Sequence, residues 1–295
     1  MFFTGFADEA ASDIRGQAEA IKELGWSHIE LRAVNGKNII ELDEDAFAEV
    51  LDTLQEYGLT CNAVGSDIGS WSKSILDPFE ETMDQVERCI PRMHALGVKY
   101  VRIMSYAVLS DREPDDQMLG ERLKRLNWIV QRFSDSGLEA LHENCGNYGG
   151  MGIPYTQKLL DGVAGLRLIF DTANAATGLD RSKPKPYPPQ CPWTFYQAFR
   201  EHIVHVHIKD AVRLRGDLVN GFEEAQYVMP GEGDAQVTRI CTALLESGYA
   251  GGFSIEPHLA VVYHDATQSC SEEERLRSFI DYGRAFDQLI KNIEL

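Results

Sequence analysis

Short apolar runs alternate along this chain with longer stretches in which apolar residues recur at helical spacing. Residues 2–7 form the first apolar run. Residues 13–24 follow, with Ile14, Ala18, Ile21 and Leu24 on one face, Ser12 or Asp13 as a cap and Gly25 as a stop. Further strands are predicted over 28–34, 60–64 and 100–105, and helices over 43–57, 77–97 and 115–136. Four more strands end near residues 143, 171, 207 and 256, separated by helices near 154–163, 193–202 and 234–247, and 272–293 closes the chain as a helix. Glycine just past a helix recurs at Leu24-Gly25, Tyr57-Gly58, Leu96-Gly97, Ser136-Gly137 and Ser247-Gly248, the signature of a left-handed helix cap.

The count is eight strand–helix units, which predicts an α/β fold with a parallel sheet closed into a single (β/α)8 TIM barrel, one domain over 1–295. A doubly wound open sheet would put a glycine-rich phosphate turn after the first strand, and Ala7-Asp8-Glu9-Ala10 is not one. Two segments break the rhythm. Residues 182–192 are proline-dense and cannot be helical, and 212–234 reads as a long loop. Both follow strands at the end where barrel active sites lie, and neither reads as a domain linker, because the alternation resumes after each.

The last four strands each end on a side chain that can bind metal: Glu143, Asp171, His207 and Glu256. In a parallel barrel these tips converge at one mouth. Three carboxylates and an imidazole form an oxygen-rich set that suits one divalent ion, Mn²⁺ first, with Mg²⁺, Co²⁺ and Zn²⁺ as alternatives. The formal net charge of -18 repels phosphate backbones and anionic membranes, which excludes nucleic acid and membrane as partners. An anionic substrate would need local positive residues or a metal to offset that field. Six scattered cysteines without a CxxC pair, no signal-like N-terminus and no long apolar run point to a cytoplasmic enzyme, and a homo-oligomer is compatible with everything above.

The runs His142-Glu143-Asn144, Phe170-Asp171-Thr172-Ala173-Asn174, His205-Val-His207-Ile-Lys209-Asp210, Pro230-Gly-Glu-Gly-Asp234 and Ile255-Glu256-Pro257 resemble the xylose isomerase-like barrel superfamily of sugar isomerases and epimerases. The resemblance implies that Glu143, Asp171, His207 and Glu256 hold one divalent metal, with Glu143 and Glu256 as the acid/base pair. It implies a metal-dependent isomerase or epimerase acting on a small carbohydrate or a derivative, by proton abstraction through an enediolate. Arg213, six residues past His207, matches a substrate-binding arginine of the ketose 3-epimerases. Two positions depart from them: Asn174 stands where they carry a histidine, and Gly149 where they carry a glutamate. That leaves room for a metal-dependent lyase or glycoside-cleaving enzyme acting on 3-keto sugars. A non-catalytic carbohydrate-binding barrel is the third reading, which an intact pair of glutamates opposes.

Asn174, Lys209, Arg213, His258 and His142 are the candidate substrate-binding residues. Lys209 and His258 share their strand faces with His207 and Glu256. His142 precedes Glu143 and reaches the mouth only if its strand twists or bulges there. His205, one layer below His207, reads as a supporting or core histidine. Glu30, Arg32 and Arg102 read as charge pairs between strands, and Trp71 and Tyr106 as wall or packing residues.

Overall fold

The computed structural model of the chain describes residues 1–219, 222–261 and 270–293. Its centre is an eight-stranded parallel sheet. In chain order the strands are β1 (Phe2–Gly5), β2 (His28–Leu31), β3 (Thr60–Val64), β4 (Tyr100–Ile103), β5 (Glu139–Glu143), β6 (Arg167–Asp171), β7 (Ile203–Ile208) and β8 (Gly252–Ile255). Each pairs with the next from β2 to β8, and β8 pairs back to β1. The remaining seam, between β1 and β2, is spanned by a parallel bridge from Phe6 to Glu30, so the sheet is a nearly closed barrel. Outside it run α1 (Ile14–Glu23), α2 (Glu44–Tyr57), α3 (Phe79–Leu96), α4 (Leu119–Asp135) and α5 (Ile153–Gly162). After the short α6 (Thr172–Thr177) come α7 (Pro192–Phe199), α8 (Val237–Glu246) and α9 (Glu272–Ile293). Asp13 and Asp43 cap α1 and α2 through their side chains, and Gly58 and Gly97 end α2 and α3 in the left-handed region at φ 62° and 66°. Among the described residues no helix is long and apolar enough to cross a membrane.

Side chains alternate across each strand, and this alternation divides the chemistry of the molecule. Ile29, Leu31, Val101, Ile103, Phe170, Val206, Ile208, Phe253 and Ile255 face outward into one hydrophobic layer under the helices. The other face, inside the barrel, carries Thr4, Glu30, Arg102, Glu143, Asp171, His205, His207 and Ser254, all buried. The stability of the barrel therefore resides in its outer layer, and its lumen is free to hold charge.

Three local features differ from the sequence expectation. The strand expected over 28–34 stops at Leu31, and the chain turns into a small hairpin, Ala33–Val34 with Lys37–Asn38. Asp171 Oδ1 accepts a hydrogen bond from the Asn174 amide at 2.7 Å, which caps the unexpected helix α6 directly at the mouth. Most of the segment expected as a loop over 212–234 is instead an antiparallel hairpin, Asp210–Val219 with Phe222–Val228; residues 220–221 lie outside the described residues. The ribbon packs against α6 and leaves Val212 and Leu214 exposed, so the alternation Val212-Arg213-Leu214-Arg215 does not mark a buried face. Main-chain pairing holds it, and periodicity does not report main-chain pairing.

Asp210 anchors the base of this hairpin. Its carboxylate, fully buried, accepts from the amides of Ala211 (2.9 Å), Gly231 (2.9 Å), Gly233 (3.0 Å) and Ala235 (3.0 Å). A Cβ at Gly233 would collide with that carboxylate, which accounts for glycine there. Asp210→Ala leaves these amides buried without an acceptor and is expected to cost about 2–4 kcal/mol. Asp210→Asn should fall between the variant and the parent. Urea midpoints at equal slope are the measurement, and an unchanged midpoint for Asp210→Ala would contradict this account.

Candidate metal centre and active-site cavity

Register brings the four strand tips together. Asp171 lies opposite His207 across the β6–β7 pair, and Ser254 lies opposite His207 across β7–β8, so Glu256 stands one step further toward the mouth. One donor atom from each of Glu143, Asp171, His207 and Glu256 lies within 4.8 Å of the others, and all four residues are buried. His207 Nδ1 is 3.7 Å from Glu143 Oε1 and 4.0 Å from Glu256 Oε2. It makes no hydrogen bond, and neither does Asp171 Oδ2, which faces the Lys209 ammonium at 2.9 Å as an ion pair only. Buried donors left without hydrogen bonds at a shared point, in a set of three carboxylates and one imidazole, fit a divalent cation.

The histidine is aimed from below. Glu30 Oε1 takes the Nε2 side of His207 at 3.2 Å, and Glu30 Oε2 takes His205 Nε2 at 2.7 Å. With its Nε2 proton given to Glu30, His207 turns Nδ1 to the carboxylates, an outer hydrogen bond of the kind that orients metal-binding imidazoles. Burial disfavours the charged His207, but the Glu30 and Glu143 carboxylates outweigh it and raise its pKa to about 10. A proton and a cation thus compete for one nitrogen. Burial opposes ionisation of Glu143 too, yet the Arg102 guanidinium and His207 hold it down at about 2. Glu256 is held well below the ordinary range against the same burial cost by Lys209, His258 and Arg32. Asp171 moves the other way, to about 6, because burial and the neighbouring Glu256 and Glu143 outweigh Lys209.

A cavity of about 790 Å³ opens above this floor. Asn174, Lys209 and His258 line it. Asn174 Nδ2 donates to Glu143 Oε1 at 3.1 Å, and Lys209 Nζ donates to Glu256 Oε2 at 3.1 Å. His258 sits in the left-handed region at φ 54°, stapled there by Glu9, which accepts from its amide and faces its Nδ1, both at 2.8 Å. Trp71 is on the rim, whereas Tyr106 packs with Ile75 and Leu109 beneath it.

Two expected substrate-binding residues are not in the cavity. His142 faces out of the barrel, with Nε2 3.0 Å from Ser105 Oγ and 3.1 Å from Asn147 Oδ1, because β5 runs to Glu143 without a bulge and neighbours on a strand point to opposite faces. Arg213 rides on the hairpin, where its Nε donates to the Ala176 carbonyl at 2.9 Å. The hairpin directs it over α6 instead of into the mouth. Gly149 is explained by the same histidine: a Cβ at 149 would strike the His142 ring, so no side chain can project from that position.

Arg32 and Arg102 have a larger part than pairing between strands. Both line the cavity, with Arg32 Nη1 2.5 Å from Glu256 Oε1 and Arg102 Nη1 3.1 Å from Glu143 Oε2. Their signal was present, since Glu30 and Arg32 alternate with Ile29 and Leu31 in a strand whose other face is apolar. Asp67, Arg181 and Tyr227 also line the cavity, but they come from loops and the hairpin and carried no periodic signal.

Comparison with known proteins places this geometry. The profile described as a xylose isomerase-like TIM barrel matches residues 18–278. Inosose dehydratase from Lacticaseibacillus casei is 23% identical over 216 residues, covering 63% of this chain and 67% of that protein. The crystal structure of the probable 3-DHS dehydratase AsbF from Bacillus anthracis superposes with a TM-score of 0.68 at 15% identity, over 97% of this chain and 99% of that one. The IOLI protein, solved with a bound zinc atom, gives 0.72 at 16% identity over 99% of each chain.

The donor set leads to a metal-binding test. Asp171→Asn keeps the Oδ1 cap on α6 and removes the charge at Oδ2. It is expected to weaken Mn²⁺ binding, read by calorimetry, by more than the roughly 10–100-fold typical of losing an outer-shell partner. The melting temperature of the ion-free protein should move by only a few degrees. Undiminished Mn²⁺ affinity would remove Asp171 from the donor set.

Proposed function

The chain belongs to the xylose isomerase-like TIM barrel family, and from that membership we propose that it is a divalent-metal-dependent dehydratase acting on a small polyhydroxylated ketone. One observation carries the reading: two buried carboxylates, Glu143 and Glu256, face a common point on the cavity floor while the wall lacks what a ketose 3-epimerase would use. Asn174 is bound to Glu143, and position 149 has no room for a side chain. The likeness to inosose dehydratase supports elimination over isomerisation.

Held by Glu143, Asp171, His207 and Glu256, a divalent ion, with Mn²⁺ our first choice, would supply Lewis-acid polarisation of the substrate carbonyl. Lys209, at the cavity floor, donates a hydrogen bond to a substrate oxygen. Arg32 and Arg102 fix the positions of Glu256 and Glu143. One of these carboxylates takes the proton from the carbon beside the carbonyl, and the electron pair moves to the carbonyl oxygen. As that pair returns, the bond from the next carbon to its hydroxyl breaks. The hydroxyl leaves as water with the proton that the carboxyl group has just received. Isomerase or epimerase activity shares the first step and differs only in returning the proton to carbon; the intact glutamate pair is the feature that favours it. The six free cysteines fit the reducing cytoplasm, where we place the reaction.

The test is incubation of the Mn²⁺-loaded protein with an inosose, ketoses and 3-keto-glycosides, with products read by NMR. Loss of water is expected, with solvent deuterium entering beside the carbonyl; interconversion without water loss would replace this reading with isomerisation. Glu143→Gln and Glu256→Gln should remain folded and lose about 10²–10⁴-fold in turnover. Near-normal turnover in both variants would refute carboxylate acid–base catalysis at the cavity floor.

A further inference from the structure

Charge in the cavity is matched at the floor and unmatched on one wall. At the floor, Arg32 is paired with Asp8, Glu9 and Glu256, Arg102 with Glu143, and Lys209 with Asp171 and Glu256. Arg181 differs. It lines the cavity from the segment between α6 and α7, half-buried. Among the described residues it makes no salt bridge, and Tyr187, whose ring centre lies 6.0 Å from the guanidinium carbon, and Tyr155 lie beside it. The adjacent carboxylate, Asp180, is taken by Ser182, which donates its amide at 3.0 Å and its hydroxyl at 2.5 Å. Arg181 thus presents a positive charge without a carboxylate partner on the cavity lining of a chain with 46 acidic and 28 basic residues.

The arginine is also held in place. Its amide donates to the Met151 carbonyl at 2.9 Å, and its own carbonyl accepts from the Tyr155 hydroxyl at 3.2 Å. The proline-dense segment that follows it folds back on itself: the Asp180 amide donates to Pro188 at 2.8 Å and the Gln190 amide to Gly178 at 2.9 Å. Gln190 Nε2 then donates to the Gly150 carbonyl at 2.7 Å, fastening the segment to the loop after β5. The guanidinium is thus carried on a backbone pinned from both sides, at the boundary between the cavity and an adjoining groove whose Lys158 and Lys185 are already paired, with Asp115 at 3.8 Å and Glu113 at 3.2 Å. Burial lowers its pKa, the signature of a cation that has given up water without gaining an acid.

Building on the ketone-dehydratase reading, we propose that the substrate carries an anionic substituent, a carboxylate or a phosphate, which Arg181 receives while the ketone end lies on the Glu143–Glu256 floor. A planar guanidinium binds either anion through paired N–H groups. A neutral polyol would leave it partly desolvated beside ring faces alone.

The test uses the full chain loaded with Mn²⁺ and two matched pairs of probes, D-fructose with D-fructose 6-phosphate and the methyl ester of 3-dehydroshikimate with 3-dehydroshikimate itself. Dissociation constants are measured by calorimetry. In the parent, the anionic member of one pair is expected to bind at least about tenfold more tightly than its neutral partner, as for a charge-assisted contact. Which pair shows the preference separates phosphate from carboxylate. Arg181→Gln should reduce that preference to about twofold or less, leaving Mn²⁺ stoichiometry and the neutral probe's affinity unchanged, and Arg181→Lys should restore part of it. The inference is overturned if no anionic probe binds more tightly than its partner, or if the preference survives in Arg181→Gln. Solvent deuterium exchange into the ketone probes keeps the two readings apart. Exchange without an anion preference would leave the reaction standing and remove only the role of Arg181. An anion preference without exchange would do the reverse.

Discussion

The constraint on which this structure depends is the cost of burying carboxylates inside a parallel barrel. Asp8, Glu9, Glu143, Asp171 and Glu256 are all buried at one end of the lumen, where an uncompensated charge is costly. Arg32, Arg102 and Lys209 share that space and pair with them through contacts that no local sequence rule specifies. The carboxylates outnumber these cations by two, with the histidines set aside and Glu30 matched to His205 and His207 one layer below. A divalent ion at the four strand tips would close this balance, and its binding would draw on the electrostatic strain of the ion-free site. Removing one cation, by contrast, would leave a buried charge unpaired, a loss of about 3–5 kcal/mol in typical cases.

The lumen is layered by the two-residue period of its strands. Glu30 and His205 lie deepest, His207 and Asp171 above them, and Glu143, Glu256 and Lys209 at the cavity floor. Each layer positions the next: Glu30 aims His207, and His207 closes the carboxylate set from beneath. Above the floor the barrel ends and the loops begin. The segment between α6 and α7 brings Arg181, the hairpin after β7 brings Tyr227, and the loop after β8 brings His258, held in an unfavourable backbone conformation by Glu9. The strand tips carry the candidate metal donors, and the loops complete the cavity wall. A barrel can vary the second without disturbing the first because its stability lies in the outer apolar layer.

Much of this was legible in the chain itself. The alternation of short apolar runs with helical periods gives the barrel, because that alternation records which faces are buried, and burial depends on a residue's own strand or helix. The glycines after α2 and α3 mark helix ends for a reason that is local, the left-handed cap. The convergence of Glu143, Asp171, His207 and Glu256 was also legible, since equal positions at the ends of successive parallel strands must meet at one mouth.

What the chain alone left undecided concerns contacts between distant segments. The hairpin over Asp210–Val219 and Phe222–Val228 is held by main-chain pairing and by the Asp210 carboxylate, neither of which leaves a hydrophobic period. Arg213 keeps the spacing of a substrate-binding residue and yet is carried away from the cavity by that hairpin. His142 turns outward on a strand that does not bulge. Arg32 and Arg102 reach Glu256 and Glu143 only because closure of the barrel sets strands far apart in sequence across a common lumen. The sequence determined the fold, its outer core and the ring of strand tips, because those follow from periodicity and position along a strand. The tertiary structure decided which charge meets which and which loop residue looks into the cavity, because those follow from register and closure, and neither is written in any single segment.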